Sequence, residues 1–362
     1  RRSHIFRYSA RLREPPRASR RARWFSGTGN ARSVAGWIRE YSAAEGLKTE
    51  LHDLSGKEYP DISSLPENTL IGFCYPTHGF NAPPLVIKYI RKFPRGNCDI
   101  FLLNTRAGMK IWKIFTPGLS GMALFLPAII MKIKGYRVRG YRPMDMPSNW
   151  IFLHPGLRKK VVESIHARCK KLTKRFTQRT LSGKFVSRGI FDLPLDIAII
   201  PISIAYYFYG RFAIAKTFYA SYKCTDCGLC YKKCPVKAIK IKDGRPYWTF
   251  NCESCMHCIN NCPERAIETA HAYTALLWWL AFSFIPYALI RLLVWINIIP
   301  YSFYYDHLRL LMNIFILASG LITVFLGYRL LHFLLRYKLL NRLFTWTSLT
   351  TYSFWRRYKS TG

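Results

Sequence analysis

The chain has 362 residues, half of them hydrophobic and 16% aromatic, with a formal net charge of +36. Such a composition can bury a large core or place part of the chain in lipid, and it excludes a wholly solvated polar chain. The 55 lysines and arginines admit nucleic acid, an anionic membrane surface or an acidic partner, but they are too unevenly placed for a uniformly basic surface.

Residues 1–23 carry nine arginines and one acid, Glu14. They lack the apolar stretch of a secretory signal and read as a basic arm or a misread start, with a superficial likeness to an organelle transit peptide. From 24 to 150, short apolar strands alternate with helices, the pattern of a parallel α/β sheet. Ser26-Gly27-Thr28-Gly29-Asn30-Ala31 precedes a helical stretch from Arg32 to Glu45. Small residues there let backbone N–H groups and hydroxyls surround a phosphate at a helix N-terminus. Thr69–Cys74 and Asp99–Leu103 are predicted strands, with a helical run through Leu85, Ile87, Tyr89 and Ile90 between them. A predicted loop follows each strand: Tyr75–Asn81 and Asn104–Gly108. In an open α/β sheet, ligands sit at these carboxyl ends of strands.

Residues 151–220 form a connector. Over 157–180, Leu157, Val161, Ile165, Cys169, Leu172 and Phe176 recur every three or four residues, with lysines and arginines on the other faces. Such a helix either packs on a neighbour or lies near anionic lipid. Residues 190–209 are apolar but contain Asp192, Pro194, Asp196 and Pro201, which argues against a simple spanning helix. Beyond the cysteine-rich stretch 221–270, Tyr273–Ile290 and Leu310–Tyr328 are nearly uncharged runs close to bilayer-spanning length. They predict a transmembrane hairpin within 271–335, turning over 300–309, with Trp278, Trp279, Trp295 and Tyr301 as interfacial anchors. Arg329, Arg336, Lys338, Arg342, Arg356, Arg357 and Lys359 follow the second run. The positive-inside rule places the tail 336–362, and with it the cysteine stretch, in the cytoplasm.

The eleven cysteines are unevenly spread: Cys74, Cys98 and Cys169 stand apart, and eight form two matching blocks. Cys224-x2-Cys227-x2-Cys230-x3-Cys234-Pro235 is repeated 28 residues later as Cys252-x2-Cys255-x2-Cys258-x3-Cys262-Pro263. Each block is followed by an Ala-Ile pair, Ala238-Ile239 and Ala266-Ile267. This is the spacing of two-cluster bacterial ferredoxins, in which the fourth thiolate ligates the other block's cluster. The reading is therefore two [4Fe–4S] clusters, one held by Cys224, Cys227, Cys230 and Cys262, the other by Cys252, Cys255, Cys258 and Cys234. Structural zinc favours two pairs of ligands, and disulfides would not impose this repeat. Each cluster carries one electron. His257 lies between two ligands and reads as a surface histidine.

Together, these features resemble the flavodoxin–ferredoxin fusion family of bacteria, over roughly Trp24 to Lys359. Ser26–Asn30 looks like the FMN phosphate loop of flavodoxins. The resemblance implies an α/β flavodoxin-like parallel sheet, a small α+β two-cluster ferredoxin domain and an α-helical hydrophobic C-terminal hairpin. It implies that Ser26, Gly27, Thr28, Gly29, Asn30 and Ala31 hold the FMN phosphate. Pro76, Thr77, His78, Gly79, Thr105, Arg106, Ala107 and Gly108 would flank the flavin ring. One departure stands out: where that fold has an apolar strand leading into the phosphate loop, this chain has Arg17, Arg20, Arg21 and Arg23. Burying unpaired guanidiniums in a sheet is prohibitive, so only Trp24 and Phe25 are expected to be strand residues.

The function expected is electron transfer at the cytoplasmic face of the inner (plasma) membrane, with acidic redox proteins and membrane lipid as partners. The alternative is a flavin-dependent reductase of a small substrate, fed by the clusters, with His78 or Tyr75 as general acid. No nucleic-acid-binding module accompanies the positive charge, so nucleic acid is not an expected partner.

Overall fold

The computed structural model describes residues 19–56, 69–298 and 309–355. Among these, the chain divides into two compact units. One runs to Pro147 and resumes over Glu163–Ile200; the other takes Ser148–Val162 and Pro201–Thr361.

The elements up to the end of the first unit are β1 (Ser19–Trp24), α1 (Asn30–Ala44), β2 (Thr49–Asp53), β3 (Thr69–Pro76), α2 (Pro84–Lys92), β4 (Asp99–Ile111), β5 (Ile114–Thr116), α3 (Met122–Ile133), β6 (Arg137–Pro147), α4 (Lys159–Leu181) and α5 (Leu193–Ala198). Five strands form a parallel sheet in the order β2-β1-β3-β4-β6, with β5 antiparallel to β4. Counting β6 as the fifth parallel strand, this is the 2-1-3-4-5 order of the flavodoxin-like doubly wound sheet. β3 is buried up to its last residue, and β4 is buried over its first eight. A strand covered on both faces reads as a continuous apolar run, which is why both were legible.

On one face, Val86 and Ile90 of α2 and Leu124 and Met131 of α3 pack with Ile71, Phe73 and Leu102. On the other, Phe101 meets Phe176 of α4 edge-on, with ring centroids 5.3 Å apart. Gly72 is required by that packing: a Cβ there would lie 1.9 Å from the Phe101 ring. Gly72→Ala is expected to cost about 1–3 kcal/mol through overpacking, read as a lowered denaturation midpoint.

The structure corrects the expectation for the arginine-rich stretch. Ser19–Trp24 is a full strand, hydrogen-bonded on both sides between β2 and β3. Arg23 is 2% exposed. Its guanidinium lies over the rings of Tyr89 (5.8 Å) and Phe93 (5.6 Å) and donates to the Tyr89 hydroxyl. A guanidinium is weakly hydrated and stacks on aromatic faces, so two rings and a hydroxyl from α2 and its end make its burial tolerable. The domain boundary expected at 23/24 therefore moves into the arm, whose residues 1–18 lie outside the described residues. Replacing a buried charge together with its polar partner by apolar residues is often neutral or stabilising. Arg23→Met combined with Tyr89→Phe is expected to change stability by between zero and about +2 kcal/mol in a urea melt.

The basic helix expected over 157–180 is α4. Ile165, Cys169 and Phe176 are buried as the stripe predicts, and Thr173, Thr177 and Thr180 complete the buried face. The Cys169 thiol donates to the Asp145 carbonyl at 3.3 Å. From Glu163 onward the helix belongs to the sheet unit, so the part of the expected connector from Glu163 to Ile200 belongs to that unit. Its apolar face is covered by the sheet, which decides for packing over lipid.

The second unit continues with α6 (Ile200–Ala205), α7 (Arg211–Lys216), β7 (Phe218–Ala220), α8 (Leu229–Lys232), β8 (Ile239–Lys242), β9 (Arg245–Trp248), α9 (His257–Asn261), β10 (Ile267–Thr269), α10 (His271–Trp279), α11 (Ile285–Trp295), α12 (Arg309–Leu334) and α13 (Lys338–Trp346). A π-helical turn, Leu280–Phe284, joins α10 to α11 just before Pro286. Proline has no N–H to give and clashes with the preceding turn, which accounts for the wider turn. The resulting helix His271–Trp295, and Leu311–Leu334 of α12, are long and apolar enough to cross a membrane. They approach closely at small residues: a Cβ at Gly320 would lie 2.5 Å from Phe282, and one at Gly327 2.2 Å from Leu277. The turn expected over 300–309 lies outside the described residues except for Arg309, and so do Tyr301, Arg356, Arg357 and Lys359.

Candidate cluster and flavin sites

The two cysteine blocks fold as a repeat. Residues 28 apart share the left-handed backbone region: Asp226 and Ser254 (φ 52° and 51°), Gly228 and Met256 (73° and 60°), Lys237 and Arg265 (51° and 50°). The strands repeat as well. β7 precedes the first block and β9 the second, while β8 follows the first and β10 the second. β7 pairs with β10, and β8 with β9. Each block is thus tied to the strand of the other, and its last cysteine is carried across.

Cys224, Cys227, Cys230 and Cys262 line a cavity of about 160 Å³. Cys234, Cys252, Cys255 and Cys258 line a tighter one of about 10 Å³. His257 borders both, and Cys258 also borders the first. All eight predicted cysteines therefore line these two cavities, and the last cysteine of each block lines the cavity of the other. The depths differ: Cys227 is exposed and Cys252 is buried.

The repeated Ala-Ile pair has a physical reason. The N–H of Ala238 donates to Cys234 Sγ and that of Ala266 to Cys262 Sγ, both at 3.3 Å. Both alanines are buried, and Ile239 and Ile267 pack into the core beside them. The Ser254 N–H donates to Cys252 Sγ at 3.4 Å, and Trp248 Nε1 to Cys258 Sγ at 3.4 Å. Sequence reasoning missed Trp248, which is fully buried against Phe218. Its only sequence signal was a tryptophan four residues ahead of the second block.

Burial pushes the Cys230 thiol up to about 11 and Cys252 up to about 12, and raises Cys255 and Cys258 further. Such thiols are neutral at pH 7 unless a cation shares their site; iron supplies that charge and makes them thiolates. Among the described residues, no group of three or more His, Cys, Asp or Glu is placed to hold a single metal ion. The donor set, its crossing and the N–H groups aimed at sulfur fit iron–sulfur clusters.

At the carboxyl end of the parallel sheet, the loop after β1 turns at Gly29 (φ 102°) into α1, which has no side-chain cap and no acid in its first turn. The Gly29 N–H donates to Ser26 Oγ at 2.9 Å, and Asn30 Nδ2 to the Pro147 carbonyl at 2.9 Å. Thr28, Asn30 and Ala31 are buried. Arg32, in the first turn, opposes the helix dipole; a phosphate there would reverse that penalty. The loop after β3 carries Pro76, Thr77, His78 and Gly79. His78 contacts Phe25 edge-on at 6.3 Å, which joins the first two loops. Its Nδ1 is buried with no hydrogen-bond partner. An orphaned donor or acceptor beside an uncapped helix end fits a polar, phosphorylated cofactor.

The third expected loop is corrected. Thr105, Arg106, Ala107 and Gly108 lie inside β4, opposite Met144 to Pro147 of β6. Pairing with β6 extends the strand past Leu103, where composition suggested a turn. Arg106 is locked by Asp145 (2.6 Å) and Asp192 (2.7 Å), both half-buried. Asn104 Nδ2 donates to Thr77 Oγ1 at 2.7 Å, and the Thr77 N–H to the Thr105 carbonyl at 2.8 Å. Asp196 accepts the Ser120 and Gly121 N–H groups at 3.0 and 2.7 Å, so Asp192 and Asp196 of the expected connector both serve this end of the sheet.

Residues 223–267 match the family model of the 4Fe-4S dicluster domain. This segment is an iron–sulfur electron-transfer domain. No curated protein matches the chain. Among solved structures, it is similar to oxidised flavodoxin 1 of Bacillus cereus, at 12% identity over 44% of this chain and 98% of that one, with a TM-score of 0.30. It is also similar to a flavodoxin from the domain Archaea (13% identity, 44% and 97%, TM-score 0.27). A third likeness is to a mutant flavo di-iron protein from Thermotoga maritima (16% identity, TM-score 0.26), covering 44% of this chain and 37% of that protein's length. The fold assignment rests on the strand order itself.

Proposed function

We propose that this chain is a membrane-attached electron carrier with two [4Fe–4S] clusters and FMN. The observation that carries the reading is the crossing of Cys234 and Cys262, each of which lines the cavity of the other block. Cys224, Cys227, Cys230 and Cys262 hold one cluster; Cys252, Cys255, Cys258 and Cys234 hold the other. The N–H groups of Ala238, Ala266, Ser254 and Trp248 disperse the negative charge on the sulfurs, which favours the reduced form. Ser26 to Ala31 hold the FMN phosphate at the N-terminus of α1. Pro76, Thr77, His78 and Gly79 flank the ring. FMN exchanges one or two electrons where each cluster exchanges one.

The exposed Cys227 marks the side from which a partner reaches the clusters, and the chain's net positive charge favours acidic redox proteins. The two apolar helices anchor the chain. Arg329, Arg336, Lys338 and Arg342, at and beyond the end of the second, put that end in the cytoplasm, at the inner (plasma) membrane. Nucleic acid is not among the partners proposed.

The reductase alternative would use His78 or Tyr75 as its acid. Burial holds the His78 imidazole down to about 4, so it has no imidazolium proton to give at pH 7. The Tyr75 hydroxyl donates to the Ala123 carbonyl and is raised well above its ordinary value by burial. A carrier needs neither group. Anaerobic purification followed by iron, sulfide and flavin counts tests the proposal, with about eight irons and one flavin expected per chain. Fewer than about four irons after reconstitution would remove the two-cluster reading, and about eight without flavin would remove FMN alone.

A further inference from the structure

In the second unit, α7, the β8–β9 hairpin and the C-terminal half of α12 enclose a cavity of about 940 Å³. Its lining is chemically divided. Leu321, Val324, Phe325 and Leu330 of α12 form an apolar wall. Lys216, Lys242, Arg245, Arg329 and Arg336 bring five cations to it, against one acid, Asp243.

Three of the cations are engaged. Lys216 Nζ donates to the Tyr247 hydroxyl at 2.9 Å and to the Trp248 carbonyl at 2.7 Å. Arg336 pairs with Asp243 at 3.1 Å. Arg245 donates to the Ala220 carbonyl at 3.1 Å and stacks on Tyr222 at 4.0 Å. Lys242 and Arg329 are exposed and have no acidic partner among the described residues; each only stands 5.9 Å from a ring, Tyr247 and Phe325 respectively.

A free anion would match these cations but leave the apolar wall uncovered, and a neutral amphiphile would do the reverse. An anionic amphiphile satisfies both, and the volume admits a headgroup with part of an acyl chain. We propose that this cavity binds an anionic phospholipid, its phosphodiester facing Lys242 and Arg329 and an acyl chain along Leu321, Val324 and Phe325. The inference rests on the reading of α12 as a membrane helix, whose basic end is where anionic headgroups concentrate.

Native mass spectrometry of the full chain in detergent tests it, with dioleoyl phosphatidylglycerol and dioleoyl phosphatidylcholine as probes. The wild type is expected to bind phosphatidylglycerol about tenfold more tightly. The double variant Lys242→Gln/Arg329→Gln is expected to bind both lipids alike. Arg291→Gln, on α11 and outside the cavity lining, is expected to keep the preference. Glycerol phosphate, the same head without chains, is expected not to displace the lipid. Equal binding of the two lipids by the wild type overturns the proposal. So does a preference that survives in the double variant, or displacement by glycerol phosphate at equal concentration. A chain recovered from cells without detergent overturns the membrane reading instead, before any lipid is added.

Discussion

Cys262→Ala is expected to lose the same cluster as Cys230→Ala, although Cys258 is its near neighbour in sequence. Cys262 lines the cavity of the first block, with Cys224, Cys227 and Cys230. Each single variant should fall from about eight irons to about four, and the Cys230/Cys262 double variant should fall no further. Residues acting on one unit are non-additive in this way, while residues on separate units add. Cys258→Ala combined with Cys262→Ala should therefore remove nearly all the iron. The surviving clusters should also differ. Cys234→Ala leaves the cluster of the exposed Cys227, and Cys262→Ala leaves that of the buried Cys252. The first should be lost to a chelator several-fold faster than the second, followed by the decay of visible absorbance. An iron content near zero in the Cys230/Cys262 variant would mean that the fourth cysteines do not cross.

The cysteine module was legible because cluster chemistry fixes residue identity at short range. Its N–H donors were less so, since a backbone amide leaves no letter in the sequence; only the small size of Ala238 and Ala266 betrays them. β3 and the start of β4 were legible because burial on both faces favours a nearly continuous apolar run. What failed was decided by distant partners. Arg23 is tolerated by Tyr89 and Phe93, far along the chain, and nothing near Arg23 announces them. Thr105–Gly108 reads as a turn locally but is held extended by β6. The stripe on α4 showed that one face is covered, yet an amphipathic pattern cannot say whether sheet or lipid covers it.

Acid is expected to weaken the flavodoxin-like unit through His78. Its imidazole sits at about 4 when folded, because burial disfavours the charged form, against an ordinary 6.5 when unfolded. Above pH 6.5 both states are neutral and His78 contributes no pH dependence. Between 6.5 and 4 the unfolded chain binds the proton first, so stability falls as pH falls through this window. From about pH 7 to about pH 5 the loss is about 2 kcal/mol, and somewhat less in so far as the ring retains some solvent contact. His78→Asn should abolish most of this slope while keeping a polar group beside Phe25. The measurement is the rate of proteolysis within residues 19–147 of the full chain at about pH 7 and about pH 5, with cleavage sites mapped by mass. A wild type and a variant that respond alike to pH would show that His78 is not held neutral. In that case the imidazolium would be available near neutral pH, and the reductase alternative would recover its acid.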